Sequence, residues 1–554
     1  MRRFFQRAVP GGARRRGVAA RLLPSRARTA DRHRLQQLDE GGRDGNQGGL
    51  RSGVAFDRDN SGLCSMRSLI APALVALLLT SLQAAARNSA DLTIRHTTIV
   101  DVQHVRLLRD QAVVTTADKI VAVGKDADVA AAWESKRTLD ARGRYLIPGL
   151  WDMHVHFGGG PDAIDENRAL LPVYVAYGVT TVRDAAGDIP YDVLRWRSEI
   201  ADGNSLAPRL LTSGPKIEGI KPVWKGTLEV GSQADVDKAL DALRGLAVDF
   251  VKITDSTLKP ELFLYAVREA HAAGLKTSGH IPLALTVRQA VDAGLSSIEH
   301  IDYAAKAGSR DEAIIASDFA AGRIDSTEAY RRLDASFDEA VAMPAYRYFA
   351  QHGVFVTPTL NGEHILAWLD RDNHDQDEGL AYIGPKLRQT YDWRIQRAAK
   401  ADAAAVERRH AHYDRCAAVL QMLKKAGVTI MAGTDSGFLN SFNYPALGLH
   451  EELALYVRNG LTPAEALDSA TRAGPAWFGQ LDRYGSIDAG KAADLVLLDS
   501  DPLKDISATK SIRTVILRGT VLDRTELDGL LTATREKVAA WKAEEAMRAS
   551  HRSD

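Results

Sequence analysis

Two histidines one residue apart, His154 and His156, close the run Leu146-Ile147-Pro148-Gly149-Leu150-Trp151-Asp152-Met153-His154-Val155-His156. In an extended strand, residues two apart point to the same side, so both imidazoles can reach one metal ion from the end of a single strand. An H-x-H pair also arises by chance, so its meaning depends on partners. Four further potential ligands follow, one per segment, each at the downstream end of a short run: Lys252 after Phe250-Val251, His280 after Thr277-Ser278-Gly279, His300 after Ser297-Ile298-Glu299, and Asp435 after Ile430-Met431-Ala432-Gly433-Thr434. A closed parallel barrel gathers side chains from the C-terminal ends of separate strands, and this arrangement is what such a barrel predicts. Taken singly, His280 or His300 could donate to a backbone carbonyl, Asp435 could cap a following helix, and Lys252 could be ion-paired at a barrel mouth.

The elements that would position these residues follow from the hydrophobic pattern. Between Pro148 and about Leu481 apolar strand candidates alternate with helical patterns, the signature of repeated βα units. The candidates end near His156, Asp184, Lys216, Lys252, His280, His300, Thr359 and Asp435. Eight is the number a (β/α)8 TIM-like barrel needs, so the fold class is α/β with that barrel over 148–481. From His300 to Thr359, and again to Asp435, the gaps exceed a minimal unit, which predicts insertions overhanging the barrel mouth. The stretch Tyr382 to Lys425 reads as one or two amphipathic helices that either pack on the outer wall or form a lid. Short β-rich runs occupy 91–147 and return in 482–522, too little at either end for a stable sheet. Together they predict one small β-sandwich domain built from both chain ends. Residues 526–549 have the propensity of a surface helix.

The chain has 554 residues and a formal charge of zero, which gives no footing for nucleic acid. Residues 1–65 are arginine-rich, lack lysine and show no sustained periodicity, so they read as an unstructured or non-native extension. Met66-Arg67-Ser68, the apolar stretch Leu69 to Leu82 and Ala84-Ala85-Ala86 resemble a secretory signal peptide over 66–86. The stretch is shorter than the roughly 20 residues of a bilayer span, so a stable membrane span is the weaker reading. An organelle-targeting leader is the alternative for the arginine-rich part. The expectation is an exported protein, periplasmic or secreted. Cys64 and Cys416 are the only cysteines, and cleavage near Ala86 would leave Cys416 alone, read as a packed small residue. A homo-oligomer is left open.

The ordered motifs resemble the amidohydrolase superfamily, in the branch of imidazolonepropionase-like proteins and Xaa-Pro dipeptidases, over Asp91 to Leu522. His450-Glu451-Glu452-Leu453, the segment Asn459 to Leu467 and Gly485 to Val496 extend the resemblance beyond the ligands. It implies two divalent metal ions, usually zinc: one held by His154, His156 and Asp435, the other by His280 and His300. Lys252, carbamylated, would bridge them, because an ammonium repels cations whereas a carbamate offers two anionic oxygens. Such a pair acidifies a water and polarises a carbonyl, and Asp435 would be the catalytic proton shuttle. His271, His352 and His364 match no family ligand and read as surface or packing residues. The expected activity is hydrolysis of a C–N bond in a small-molecule amide or peptide, such as a dipeptide or N-acyl amino acid. Lactones, cyclic amides or phosphotriesters are alternatives on the same site, and a non-catalytic zinc-binding protein is the remote one. For a substrate carboxylate, Arg183 is a candidate partner, against an ion pair with Asp184 or another barrel residue.

Overall fold

The computed structural model describes residues 87–553. The extension read over 1–65 and the signal read over 66–86 lie outside the described residues. Strands from both ends of the described span meet in one eight-stranded sheet. Its order is Thr520–Asp523, Ile512–Leu517, Leu495–Leu498, Tyr145–Pro148, Asn88–Asp101, Arg106–Thr116 and Lys119–Lys125, with Trp133–Asp140 also paired to Asn88–Asp101. Leu92, Ile94, Ile99, Val113, Leu146, Leu495, Leu497 and Ile516 share one apolar cluster on this sheet. Ile94 and Ile99 both reach it although five apart, because register irregularities between them break strict alternation and His96 takes φ +51°. The two sequence runs Leu92–Ile94 and Thr97–Val100 are therefore one strand. Trp133–Asp140 was not legible as a strand, since its exposed Glu134, Lys136, Arg137 and Thr138 leave no alternating pattern.

The central region holds two parallel sheets. One runs Ser436–Gly437, Leu150–His156, Val179–Asp184, Arg209–Thr212; the other runs Thr227–Val230, Lys216–Gly219, Val251–Ile253, Thr277–Gly279, Ser297–Glu299, Phe355–Thr357. Backbone bonds join them on both sides, from Asp249 N to Thr212 O at 2.9 Å and from Met431 N to Val356 O at 2.9 Å. Most of these strands are buried along their whole length, as parallel strands covered by helices must be. Two expectations are corrected. No strand ends at Asp435, which instead lies directly before the two-residue strand Ser436–Gly437. The third strand does not run to Lys216; it stops at Thr212, and Lys216 opens a new strand in the other sheet. Gly214 at φ +59° and Pro215, which has no N–H to donate, break the ladder between them.

The wide gaps are filled by helices. After Phe355–Thr357 comes Leu360–Trp368, and the stretch Tyr382 to Lys425 holds three helices, Pro385–Gln389, Asp392–Ala399 and Ala403–Lys425, in place of the one or two expected. The longest packs on the core through Tyr413, Cys416, Val419, Leu420 and Leu423. Glu452 accepts the backbone N–H groups of Leu360 and Asn361, fixing the start of Leu360–Trp368 beside Thr359. The C-terminal helix spans Arg524–Ser553. No helix among the described residues is long and apolar enough to cross a membrane.

An ion pair ties Ala403–Lys425 to Ser326–Ala335: His412 Nδ1 donates to Asp334 Oδ2 at 2.9 Å, and Cys416 Sγ lies 3.6 Å from His412 Nε2. Cys416 is thus buried with a polar neighbour, not only apolar ones. Burial alone would lower the His412 imidazole, but the hydrogen bonds to Asp334 and Cys416 push it up to about 11. The folded value lies above the unfolded one. The pair therefore contributes its full stability below about 6.5, and loses it as pH rises through about 11. His412→Asn is expected to lower stability by roughly 1–2 kcal/mol at pH 6. The wild-type and variant thermal midpoints, measured from pH 6 to 11, should converge with rising pH. A constant gap would contradict the assignment.

Candidate metal centre

The ends of the parallel strands bring five of the six sequence-selected side chains within contact of one another. His154 Nε2 lies 3.1 Å from His156 Nε2, and Asp435 Oδ1 lies 2.8 Å from His156 Nε2 and 3.4 Å from His154 Nε2. His280 Nε2 and His300 Nε2 are 3.0 Å apart, and the His154 and His300 ring centroids are separated by 4.9 Å. Ligand atoms of His154, His300 and Asp435 all fall within 4.8 Å of one another. Lys252 is 1% exposed and lines the same cavity of about 360 Å³ as His156, His280, His300 and Asp435.

The outward-facing nitrogens explain why Nε2 atoms converge. His156 Nδ1 donates to the carbonyl of Ala186 at 2.6 Å, and a carbonyl can only accept, so the proton sits on Nδ1 and Nε2 keeps its lone pair. His154 Nδ1 donates to Glu299 Oε2 at 2.6 Å with the same result. His300 Nδ1 pairs with Thr359 Oγ1 at 2.8 Å. His280 stacks on Tyr303, and its Nδ1 faces Asp255 Oδ1 at 3.8 Å. Burial pushes His280 and His154 well below the ordinary imidazole range, helped by the nearby charge of Lys252, and lowers His300 too. Neutral imidazoles with aligned lone pairs are the form that binds a cation.

The backbone is held in uncommon shapes at these positions. His300 has φ +67°, Asp435 φ +61°, Thr359 φ +52° and Ala186 φ +73°. Non-glycine residues in this region store strain that the surrounding packing must sustain. Gly433 is required for another reason: a Cβ there would lie 2.5 Å from Thr357 Cγ2 and 2.9 Å from His154 N, so only glycine lets the segment before Asp435 approach His154.

Glu299 is the residue that sequence reasoning missed. It is fully buried and accepts from His154 Nδ1, Arg183 Nη2, Ser278 Oγ and Ser297 Oγ. Burial would raise its carboxyl, but Arg183, His154 and Lys252 together hold it well below the carboxylate range. A carboxylate behind a ligating histidine fixes its tautomer and raises its basicity. The available signal was an acid inside the apolar run Ser297-Ile298-Glu299, directly before His300.

Arg183 does not face the cavity. It is fully buried, donates to Glu299 and to the Met153 carbonyl at 2.5 Å, and lies over the rings of Phe250 and Trp477. It is not a substrate-carboxylate partner; the alternative holds, an ion pair with another residue of the parallel strands, and that residue is Glu299, not Asp184. His271, His352 and His364 are absent from the cavity wall. Arg394 and Glu363, from the helices inserted after Thr357, do line it, while the long helix Ala403–Lys425 does not.

Residues 145–522 match the model of the amidohydrolase family. The chain belongs to that family. This amidohydrolase is a hydrolytic enzyme, and its strand-end histidines and aspartate provide candidate metal-binding groups of the kind such enzymes use. It is 24% identical to an ochratoxinase of Aspergillus niger over 459 residues, covering 72% of this chain and 79% of that one. Among solved structures, a bottromycin amidohydrolase superposes with a TM-score of 0.60 at 22% identity, covering 80% of this amidohydrolase and 90% of that chain. A Xaa-Pro dipeptidase with methionine bound in its active site gives 0.56 at 20% identity, covering 78% and 99%. At these identities the structures establish a shared fold.

Proposed function

We propose that this chain is an exported, binuclear metal-dependent amidohydrolase that cleaves the C–N bond of a small amide, such as a dipeptide or an N-acyl amino acid. In this reading eight of the ten parallel strands, all but Lys216–Gly219 and Thr227–Val230, form one βα barrel, and the mixed sheet is its small β-sandwich. Residues 66–86 would direct export. The observation that carries the reading is the meeting of two Nε2 pairs, His154 and His156 beside the Asp435 carboxylate and His280 with His300, joined where His154, His300 and Asp435 come together, with outward partners that leave the lone pairs of His154 and His156 facing inward.

This donor set fits two cations: His154, His156 and Asp435 would hold one, His280 and His300 the other, with carbamylated Lys252 shared between them. When bound, two divalent ions, in our reading zinc, supply an acidified water and an electrophile for the substrate carbonyl. The protein's own part is to aim and to move protons. Glu299 keeps His154 in its Nδ1-protonated form, and Ala186 does the same for His156. The Asp435 carboxylate, in contact with His156, accepts the proton of the attacking water and returns it to the departing nitrogen. Burial of the cavity floor excludes bulk water and strengthens each of these interactions.

The test is metal content of the purified protein together with turnover on dipeptides, N-acyl amino acids, lactones and a phosphotriester. Two bound metals with cleavage confined to amides, lost on chelation and restored by zinc, is the expected result. Cleavage of lactones alone, or two metals without turnover on any class, overturns it.

A further inference from the structure

The cavity wall holds a guanidinium with nothing to bind. Arg394, on the helix Asp392–Ala399, lines the same cavity as His156, His280, His300 and Asp435. Its Nε is sealed from solvent and has no hydrogen-bond partner among the described residues, and it forms no ion pair there. Its packing contact is the neighbouring Trp393 ring, 5.0 Å away. Trp393 in turn meets Trp224, a residue of the cavity wall, edge-on at 6.4 Å, which ties this helix to the segment that follows the strand Lys216–Gly219. Sealing a charged N–H group from water without a partner is costly unless something else supplies one.

The carboxylates that act on Arg394 are Asp435 and Glu363, and neither is hydrogen-bonded to it. In the binuclear reading Asp435 is committed to a cation. Burial and the neighbouring Asp302 push the Glu363 carboxyl up to about 7, so it is a weak counter-ion near neutrality. Of the two lysines of the wall, Lys252 is taken in this reading as the carbamate, and three carboxylates, Asp184, Glu218 and Asp188, already act on Lys216. Arg394 presents a planar donor fork that matches a carboxylate, beside the apolar surfaces of Trp224, Phe438 and Leu439.

We propose that Arg394 binds the carboxylate of the substrate, so that the enzyme selects amides carrying a free acid group beside an apolar one. The proposal rests on the amidohydrolase reading, since it places the anion in the cavity of the metal-binding residues. Arg183, the sequence candidate for this role, is spent on Glu299.

Calorimetric titration of the zinc-supplied protein with N-acetyl-L-leucine and with N-acetyl-L-leucinamide tests it. Wild type should bind the acid about ten-fold or more tightly than the amide. Arg394→Gln should bind both alike, with amide affinity unchanged, and Arg394→Lys should fall between. The thermal midpoint of Arg394→Gln should equal or exceed that of wild type, because an unpaired charge has been removed. Equal binding of the two ligands by wild type, binding of neither, or selectivity lost in Lys216→Gln and kept in Arg394→Gln would each overturn the assignment. So would a lowered midpoint with both ligands lost, which marks a folding role. Hydrolysis is followed in the same samples: selective binding without turnover defeats the amidohydrolase reading and leaves the carboxylate site standing.

Discussion

Asp435→Asn is expected to fold like the wild type and to lose turnover by roughly a hundred- to ten-thousand-fold, the range for removing a general base. The backbone should survive because Asp435 sits at φ +61°, a conformation asparagine adopts as readily as aspartate. Its position is set by main-chain contacts that the substitution leaves intact, Asp435 N to His154 O at 2.7 Å and the Asn440 amide to Asp435 O. What changes is one oxygen for one amide: the new side chain can still approach His156, but it neither carries a charge nor accepts a proton at neutral pH. Circular dichroism and metal content separate the causes. Unchanged spectra with retained metal and lost turnover place the defect in proton transfer, and loss of metal places it in ligation. Near-normal activity would remove Asp435 from the chemistry.

The ligands were legible in the sequence because each stands in or directly beside a short buried strand and the first two share one strand face, so local spacing carried the information. What surrounds them was not legible, because it depends on which strands become neighbours. Glu299 and His154 are far apart in sequence, and their 2.6 Å contact exists only once Ser297–Glu299 and Leu150–His156 face the same interior. Arg183 illustrates the same point in reverse. Adjacent residues on a strand point to opposite sides, so Arg183 turns to Glu299 while Asp184 accepts from Thr212 Oγ1, and the two cannot pair. The strand Trp133–Asp140 lacks a buried face and therefore a period. Arg394 was invisible for a further reason: an amphipathic pattern shows that a helix has a wet side, and says nothing of which polar residue on it meets a cavity.

Lys252→Met should reduce activity to about one per cent of wild type or less while leaving the fold intact, since methionine keeps the volume and removes only the charge and the nucleophile. The alternative role, a structural ion pair, has no support in the contacts. Lys252 Nζ is buried without a hydrogen-bond partner, and Glu299, the anion that acts on it most, already receives four donors. An ammonium left there disfavours the protonated forms of His154 and His280 and would equally repel bound cations. Burial moves the amine down to about 8, so a minor neutral fraction is present at neutral pH. That free amine can attack carbon dioxide: the N–C bond forms, one C–O π pair moves to oxygen, and the nitrogen gives up a proton. A cation becomes an anion with two oxygens, and the sign of the field at the histidines reverses. Wild-type protein loaded with 13C-bicarbonate and zinc should show a carbamate carbon resonance that Lys252→Met lacks, and its zinc uptake should rise with bicarbonate while the variant's does not. Full zinc binding and turnover in Lys252→Met, or a wild type indifferent to bicarbonate, would leave the lysine without a part in holding metal.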